Sequence, residues 1–397
     1  MMRYLKYYSS PVAFTALSFS VYLGGAYLWL PVLIGTAALI VVDQVFPKDL
    51  NEDKFNYPFL LDLALYLSLP SVVLIIYNLL WVAGGGVNDP LGFAAFFQSL
   101  TGYDALVAQQ ATHWYDIALM TLFYGIPLAG ASLLAGHELT HRTWRRFDLW
   151  VGKLAMAFSW GIAYPIEHVY GHHSYVGTTK DPATAARGDS LYQHLPKALK
   201  RTVVNAWEIE VNRLRKLDCS PFSMRNSMLR LALVPLATTI FAYYMAGLAG
   251  VVVYYGLCLI GKTALEMTNY IEHYGIVRVP SEPVQPRHSW NCNNQISNMI
   301  TFNITRHSHH HAHAQVPFQD LKAFDNQPEM PGGLITALHA CLIPPLWRKM
   351  IAPKLQEWDR IHASAAEKSL LDDANKNSGW PELLNTEALE LATTSAT

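Results

Sequence analysis

The sequence predicts an all-α integral membrane protein, with six transmembrane helices and a cytoplasmic, histidine-rich cap that holds two metal ions. Three observations carry this expectation. Of 397 residues, 51% are hydrophobic and only 15% are charged, where soluble chains carry about a quarter charged residues. The apolar residues gather in runs long enough to span a bilayer. Most of the sixteen histidines fall in a few tight clusters.

A spanning helix needs about 20 mostly apolar residues. The first run, Pro11 to Val45, is divided by Gly24, Gly25 and the Leu30-Pro31 step into two helices. A third span runs from Leu60 to Val82 and a fourth from Ile117 to Ala135. The stretch from Leu229 to Met267 holds two more, with a turn near Gly247–Gly250. Arg3 and Lys6 before the first run imitate a signal peptide. Further spans follow at once and no small-residue cleavage site appears, so the run reads as an uncleaved first helix. The apolar stretch Leu149–Ile166 is short, contains Lys153, and is expected to dip into the interface as a re-entrant helix.

Lys and Arg placement orients the chain. Arg3 and Lys6 lie at the N-terminus, and the loop Gly84–His113 has no Lys or Arg. The segment Arg142–Arg230 is rich in both. An even number of spans with both termini inside satisfies this pattern. Residues 1–136 then carry the first four helices, and 137–228 form a cytoplasmic segment with the first two histidine boxes. Residues 229–268 form the fifth and sixth helices. Residues 269–397 form a second cytoplasmic segment with the remaining boxes and a tail, frayed from Glu382 to Thr397.

A formal net charge of −1 gives no global field for nucleic acid. Cys219, Cys258, Cys292 and Cys341 are scattered without a CxxC pair. Neither a disulfide scaffold nor a thiolate metal site is supported, and Cys258 and Cys341 sit in apolar runs as buried thiols.

Nine histidines form four clusters: His137 and His141; His168, His172 and His173; His273; and His307, His310 and His311. Residues i and i+4, or i and i+3, share one helix face. His137 with His141, His168 with His172, and His307 with His310 and His311 are therefore predicted to point imidazoles at one centre. Neutral imidazole is the commonest protein metal ligand. Nine ligands exceed what one ion takes, so two metals are expected. His309 and His313 interrupt the fourth cluster and are left outside the ligand set. His113, His194, His288, His339 and His362 stand alone and read as packed or surface histidines. Glu138, Glu167 and Glu272 each neighbour a cluster histidine, to orient a ligand imidazole or to pair with a nearby Arg or Lys. A rival reading is the HExxH zinc protease, with His137 and His141 on zinc and Glu138 as general base; it leaves seven histidines without a role. A non-catalytic metal transporter is disfavoured, because transporter ligands lie near the bilayer midplane. Spacing does not choose the metal, since imidazole suits zinc, copper, iron and nickel.

Four stretches carry a family resemblance: Gly136-His-Glu-Leu-Thr-His-Arg142; Glu167-His-Val-Tyr-Gly-His-His173 with Asp181-Pro-Ala-Thr184 and Gly188-Asp-Ser-Leu-Tyr192; Asn269-Tyr-Ile-Glu-His-Tyr-Gly275; and Arg306-His-Ser-His-His-His-Ala-His-Ala314. Together with His288-Ser-Trp-Asn291, they resemble the membrane fatty-acid desaturase and hydroxylase superfamily, and within it the membrane-bound alkane monooxygenases. The resemblance implies a non-haem diiron centre held by His137, His141, His168, His172, His173, His273, His307, His310 and His311, with O2 as co-substrate. Asp181 joins Glu138, Glu167 and Glu272 as a carboxylate beside the ligands. Two departures stand out: His309, where the alkane enzymes carry aspartate, and Gln315, near an expected proline. The ends of the chain, through Phe46-Pro-Lys-Asp-Leu50 and Ile343-Pro-Pro-Leu-Trp347 to Gly379-Trp-Pro381, resemble instead the membrane subunit of xylene monooxygenase.

The implied reaction is hydroxylation of the terminal methyl group of medium-chain n-alkanes to primary alcohols, at the bacterial inner membrane. Methyl hydroxylation of alkylaromatics of the xylene or cymene type, or fatty-acyl desaturation, are the alternatives. The chain has no dinucleotide fingerprint, flavin motif or CxxC pair. Electrons are therefore expected from elsewhere, and the resemblance implies rubredoxin with an NADH-linked rubredoxin reductase, or a ferredoxin-type reductase on the xylene side of the kinship. Arg142, Arg145, Arg146, Lys197, Lys200 and Arg201 are the candidate docking charges, unless they only obey the positive-inside rule.

Overall fold

The structure, a computed structural model, describes residues 2–384. Its described residues are helical throughout, apart from loops and two isolated bridges, Lys48–Asn294 and Asn291–Glu329. Helix α1 (Ser9–Ser18) ends in two short 3-10 turns around Gly24. Gly24 has φ +70°, and a Cβ there would lie 2.1 Å from the Ala108 carbonyl oxygen, so only glycine fits. Helix α2 (Leu30–Val45) follows, opened by Pro31. The division expected at Gly24–Gly25 and Leu30–Pro31 is thus the observed one.

Helices α3 (Pro58–Ala83) and α4 (Trp114–His141) are long and apolar enough to cross a membrane. Helix α5 (Arg146–Ala157) is short, and α6 (Leu191–Arg215) is amphipathic and capped by Ser190. Helix α7 (Ser227–His273) is also long and apolar enough to cross. It breaks at Ala246 and Gly247, the latter with φ +56°. Thr239 Oγ1 and Tyr255 OH lie 3.4 Å apart, so its two arms fold back on each other about the expected turn. Val72, Ile75 and Leu79 of α3, Met120, Tyr124 and Leu128 of α4, and Ala242, Tyr254 and Leu257 of α7 form one buried core. Outward-facing Leu33, Ile34, Val41, Leu233, Ile240, Leu248 and Val252 are exposed, as befits helices solvated by lipid.

The stretch Leu149–Ile166, expected as a re-entrant helix, is two helical pieces with a break after Ala157. Trp160 adopts φ +58°, and the Gly161 amide donates to the Met156 carbonyl at 2.8 Å. The chain then restarts as a second helical piece over residues 164–175.

Beyond α7 the chain builds a separate cap from α8 (His307–Ala312), α9 (Gly333–Ala340), α10 (Pro344–Glu357) and α11 (Ala365–Ser378). Its core gathers Tyr270, Tyr274, Trp290, Trp347 and Trp358. Buried Arg187 donates to both Asp359 oxygens at 2.6 and 2.7 Å and to the Gly275 carbonyl at 2.8 Å, fastening this cap to the end of α7. The Asp43 carboxylate at the end of α2 accepts from the Ser297 amide at 2.8 Å and fixes the short helix Gln295–Ile300 that precedes α8. The tail expected to fray from Glu382 is instead fastened at its start, where both Glu382 oxygens accept from Arg348 at 2.6 Å and Leu383 is buried; beyond Leu384 it lies outside the described residues.

Candidate metal centre

Four pieces of chain place the nine cluster histidines, and each is held by a specific contact. His137 and His141 end α4. Helix α5 presses on this turn through a glycine pair: a Cβ on Gly152 would meet Leu139 Cβ at 2.8 Å and the Gly136 carbonyl at 3.1 Å. Neither neighbour is a flexible side-chain end. Gly152→Ala is therefore expected to destabilise the folded protein by about 1–3 kcal/mol, the usual cost of overpacking; thermal unfolding in detergent checks it. Next to this turn, buried Arg142 donates to Glu138 at 2.9 Å, Asp62 at 2.5 Å and Asp148 at 3.1 Å. It thereby ties α3, α4 and α5 together.

The second box contains the main surprise. Residues His168–His172 form a π turn between two α-helical turns. A π turn closes over five residues instead of four. His168 therefore shares its face with His173, not with His172 as the α-helical spacing predicts; the Nε2 atoms of His168 and His173 lie 3.1 Å apart. His172 is turned the other way, where its Nδ1 lies 2.9 and 3.0 Å from the two Asp181 oxygens.

His273 is the last residue of α7. The Trp290 amide donates to the Glu272 carbonyl, and Trp290 Nε1 to the Tyr274 carbonyl, both at 2.9 Å. These bonds satisfy carbonyls that a helix end leaves orphaned. Buried Arg306 pins the start of α8 by donating to the carbonyls of Leu321, Asp49 and Asn51.

The result is two groups, each of whose ligand atoms lie within 4.8 Å of one another. One comprises His137, His141, His168, His173 and His310. The other comprises His172, His273, His307 and His311. They adjoin: the His173 and His311 rings stack at 4.4 Å. His307 Nε2 lies 3.0 Å from both His273 Nε2 and His311 Nε2. A metal–nitrogen bond of about 2.0–2.1 Å puts neighbouring ligand nitrogens roughly 3 Å apart or slightly more. Buried Nε2 atoms of His137, His141, His172 and His310 have no hydrogen-bond partner, which would be costly in a site without a cation.

Burial, reinforced by neighbouring imidazoles, drives His168, His173, His310 and His311 well below the ordinary histidine range, and His307 to about 3. These rings are neutral, with lone pairs free for a metal. For His172 burial acts in the same direction, but the Asp181 carboxylate outweighs it and raises the ring above its ordinary value. Burial, then the nearby Asp181 charge, pushes Glu167 up to about 8. A dense buried set of neutral donors ringed by carboxylates fits two divalent ions.

Of the four carboxylates singled out by sequence, Asp181 contacts a cluster histidine directly and also accepts from the Thr184 hydroxyl at 2.6 Å. Glu272 Oε2 lies 3.3 Å from His307 Nε2. Glu138 is engaged by Arg142, and Glu167 Oε1 is buried without a partner. His309 is buried beside Phe324, His313 is exposed, and both lie outside the two groups. His194 packs on Tyr270, while His288 bonds Glu367 at 2.7 Å. Arg142 is a correction: its three ion pairs bury it, so it belongs to no docking surface.

Sequence reasoning missed Tyr164, whose ring stacks on His168 at 4.5 Å. It also missed Arg278, which donates to the Val176 and Ser174 carbonyls behind the second box. Tyr164 stands one helical turn before His168, a spacing that could have marked it, whereas Arg278 sits beside no histidine and has no local signal.

Helices of membrane-spanning length that end in two adjoining polyhistidine groups define a histidine-box membrane metalloprotein. The chain matches the fatty acid desaturase family over residues 112–336, more than half its length, and belongs to that family. It is similar to alkane 1-monooxygenase 1 of Pseudomonas aeruginosa, 32% identical over 80% of each chain. It is also similar to the xylene/toluene monooxygenase hydroxylase component XylM of Pseudomonas putida, 32% identical over 96% of each chain. The alkane 1-monooxygenase of Ectopseudomonas oleovorans is 31% identical over 84% of this chain and 80% of its own. The resemblance to alkane monooxygenases read from the histidine boxes, and the resemblance to xylene monooxygenase read from the ends of the chain, are thus both borne out.

Proposed function

We propose that the protein is a non-haem diiron monooxygenase that hydroxylates a methyl group of a hydrophobic hydrocarbon with O2. The observation that carries this reading is the pair of buried polyhistidine groups at the ends of apolar helices. The nine grouped histidines would be the ligands. Oxidation of an unactivated C–H bond needs chemistry that side chains lack, and bound iron supplies it. The residues do the rest. Asp181 accepts a hydrogen bond from the His172 Nδ1–H, which fixes that ring's tautomer and leaves Nε2 directed inward. Ala129, Leu133, Met156, Ala264 and Leu265 pack around Tyr164 on the apolar side of the site and exclude water. Glu138, held by Arg142, is not free to act as the base of a zinc protease.

We infer medium-chain n-alkanes as substrates, with rubredoxin as donor. The six spans, with both termini and the site on the cytoplasmic face of an inner membrane, complete this reading. A second reading has its own observation: the similarity to XylM runs over 96% of both chains, which favours a methyl group on an aromatic ring. The test is to purify the protein in detergent, measure bound metal, and assay octane and p-xylene with NADH, a reductase and rubredoxin or ferredoxin. Roughly two irons per chain with 1-octanol as product supports the first reading; 4-methylbenzyl alcohol alone supports the second. An alkene without alcohol points to a desaturase. Zinc alone, with no NADH-dependent product, would sink the diiron reading.

A further inference from the structure

Helix α5 has two faces of opposite character. Asp148, Val151, Gly152 and Ala155, at the i, i+3, i+4, i+7 spacing of one helix face, are buried against α4. On the other side Phe147 and Trp150 are 61% and 59% exposed, and Trp144, in the turn just before the helix, is 54% exposed. Three large aromatic side chains in one exposed patch are unusual for a surface that meets only water.

The patch is continuous with the lipid-facing side of α3. Phe59 and Leu63, one turn apart, are 64% and 46% exposed. Tyr66, the next residue on that face, packs edge-on against Phe147 at 5.2 Å and donates to Asp148 at 2.7 Å. The apolar stripe of a spanning helix thus runs without interruption onto the outer face of α5. Exposed Arg146 flanks it, next to half-exposed Arg145, whose guanidinium pairs with Asp62 and Asp148 at 2.8 and 3.1 Å. Aromatic rings beside arginines are the composition of the membrane–water interface, where rings sit at headgroup depth and guanidinium groups meet phosphates.

We propose that Trp144, Phe147 and Trp150 form an interfacial anchor that seats α5 in the headgroup layer of the bilayer. The occupant of this face is the lipid surface. The other face of α5 closes on the turn bearing His137 and His141, so the anchor positions the wall of the metal centre relative to the membrane. This proposal does not depend on the reaction assigned above.

The test uses the full chain with Cys219, which is not buried, replaced by serine. Single cysteines at Phe147→Cys and Trp150→Cys, and at exposed Lys368→Cys on α11 as reference, carry a spin label. The protein is reconstituted in vesicles of phosphatidylcholine and phosphatidylglycerol. At 147 and 150, O2 is expected to relax the label several-fold more, relative to a water-soluble nickel chelate, than at 368. Chelate access equal to that at 368 would overturn the proposal, because the face would then be in water. Shielding from both probes would also overturn it, because protein would cover the face. Independently, brominated lipid should quench the wild type more than the W144F/W150F variant; equal quenching counts against the anchor.

Discussion

Replacing His307 with alanine is expected to abolish hydroxylation and to empty one of the two metal positions. His307 Nε2 sits 3.0 Å from both the His273 and the His311 Nε2 atoms, which makes it the common neighbour of its group. The ring is fully enclosed and neutral, and its Nδ1 faces the Ile304 carbonyl at 3.3 Å, so Nε2 is the atom available to a metal. Loss of a group that merely supports a ligand typically costs 10–100-fold in metal affinity or activity. Loss of a ligand from a group of four should exceed this, so turnover should fall by more than about 100-fold. Iron should drop from roughly two per chain to roughly one, because the five-histidine group keeps all its donors. His309→Ala is the matched control: it lies two residues away in the same short helix, is also buried, and belongs to neither group. Metal analysis and turnover of the two variants side by side decide the matter. Retention of both irons by His307→Ala, or equal loss in both variants, would show that the grouping does not describe the site.

That contrast could not be written from the sequence, although much else could. Apolar runs fixed the long helices, because burial in lipid demands continuous apolar length and closed backbone hydrogen bonding. Gly24 and Gly247 marked the breaks, because each adopts a positive φ. The histidine clusters identified the site residues through their chemistry. Their sorting into two groups stayed hidden. It depends on the π turn at His168–His172, which moves His172 and His173 into different groups and pairs His168 with the residue five positions on. Helical periodicity of 3.6 assigns the opposite partner. Arg142 was misread for a related reason: a basic residue at a span's end is usually a surface charge. Here the carboxylates that bury it come from Asp62 and Asp148, distant from it or placed by the turn that follows. The break after Ala157 is likewise invisible in hydropathy, since the residues on both sides are apolar.

Asp181→Asn is expected to weaken metal binding selectively in the four-histidine group, by about 10–100-fold. Both Asp181 oxygens lie within 3.0 Å of His172 Nδ1, so the carboxylate accepts a hydrogen bond from the ring's Nδ1–H and holds its Nε2 toward His273 and His311. The negative charge also makes the imidazole a stronger donor, and it is the charge that raises His172 against the effect of burial. Asparagine has nearly the same shape. Its oxygen can still accept from the Ala183 amide, which Asp181 Oδ1 receives at 3.1 Å, while its NH2 takes the place of the oxygen that receives the Thr184 hydroxyl at 2.6 Å, and that hydroxyl can turn to accept instead. The loop should therefore keep its conformation, and the unfolding temperature of the metal-free protein should hardly change. What is lost is the charge behind His172. Chelator titration should then release one iron at lower chelator concentration than in the wild type, while the second leaves as before. Asp181→Ala, which also removes the loop contacts, should lower both metal affinity and unfolding temperature. If Asp181→Asn releases both irons together, the carboxylate supports the whole cap and not one ring; if release is unchanged, His172 is oriented by its helix alone.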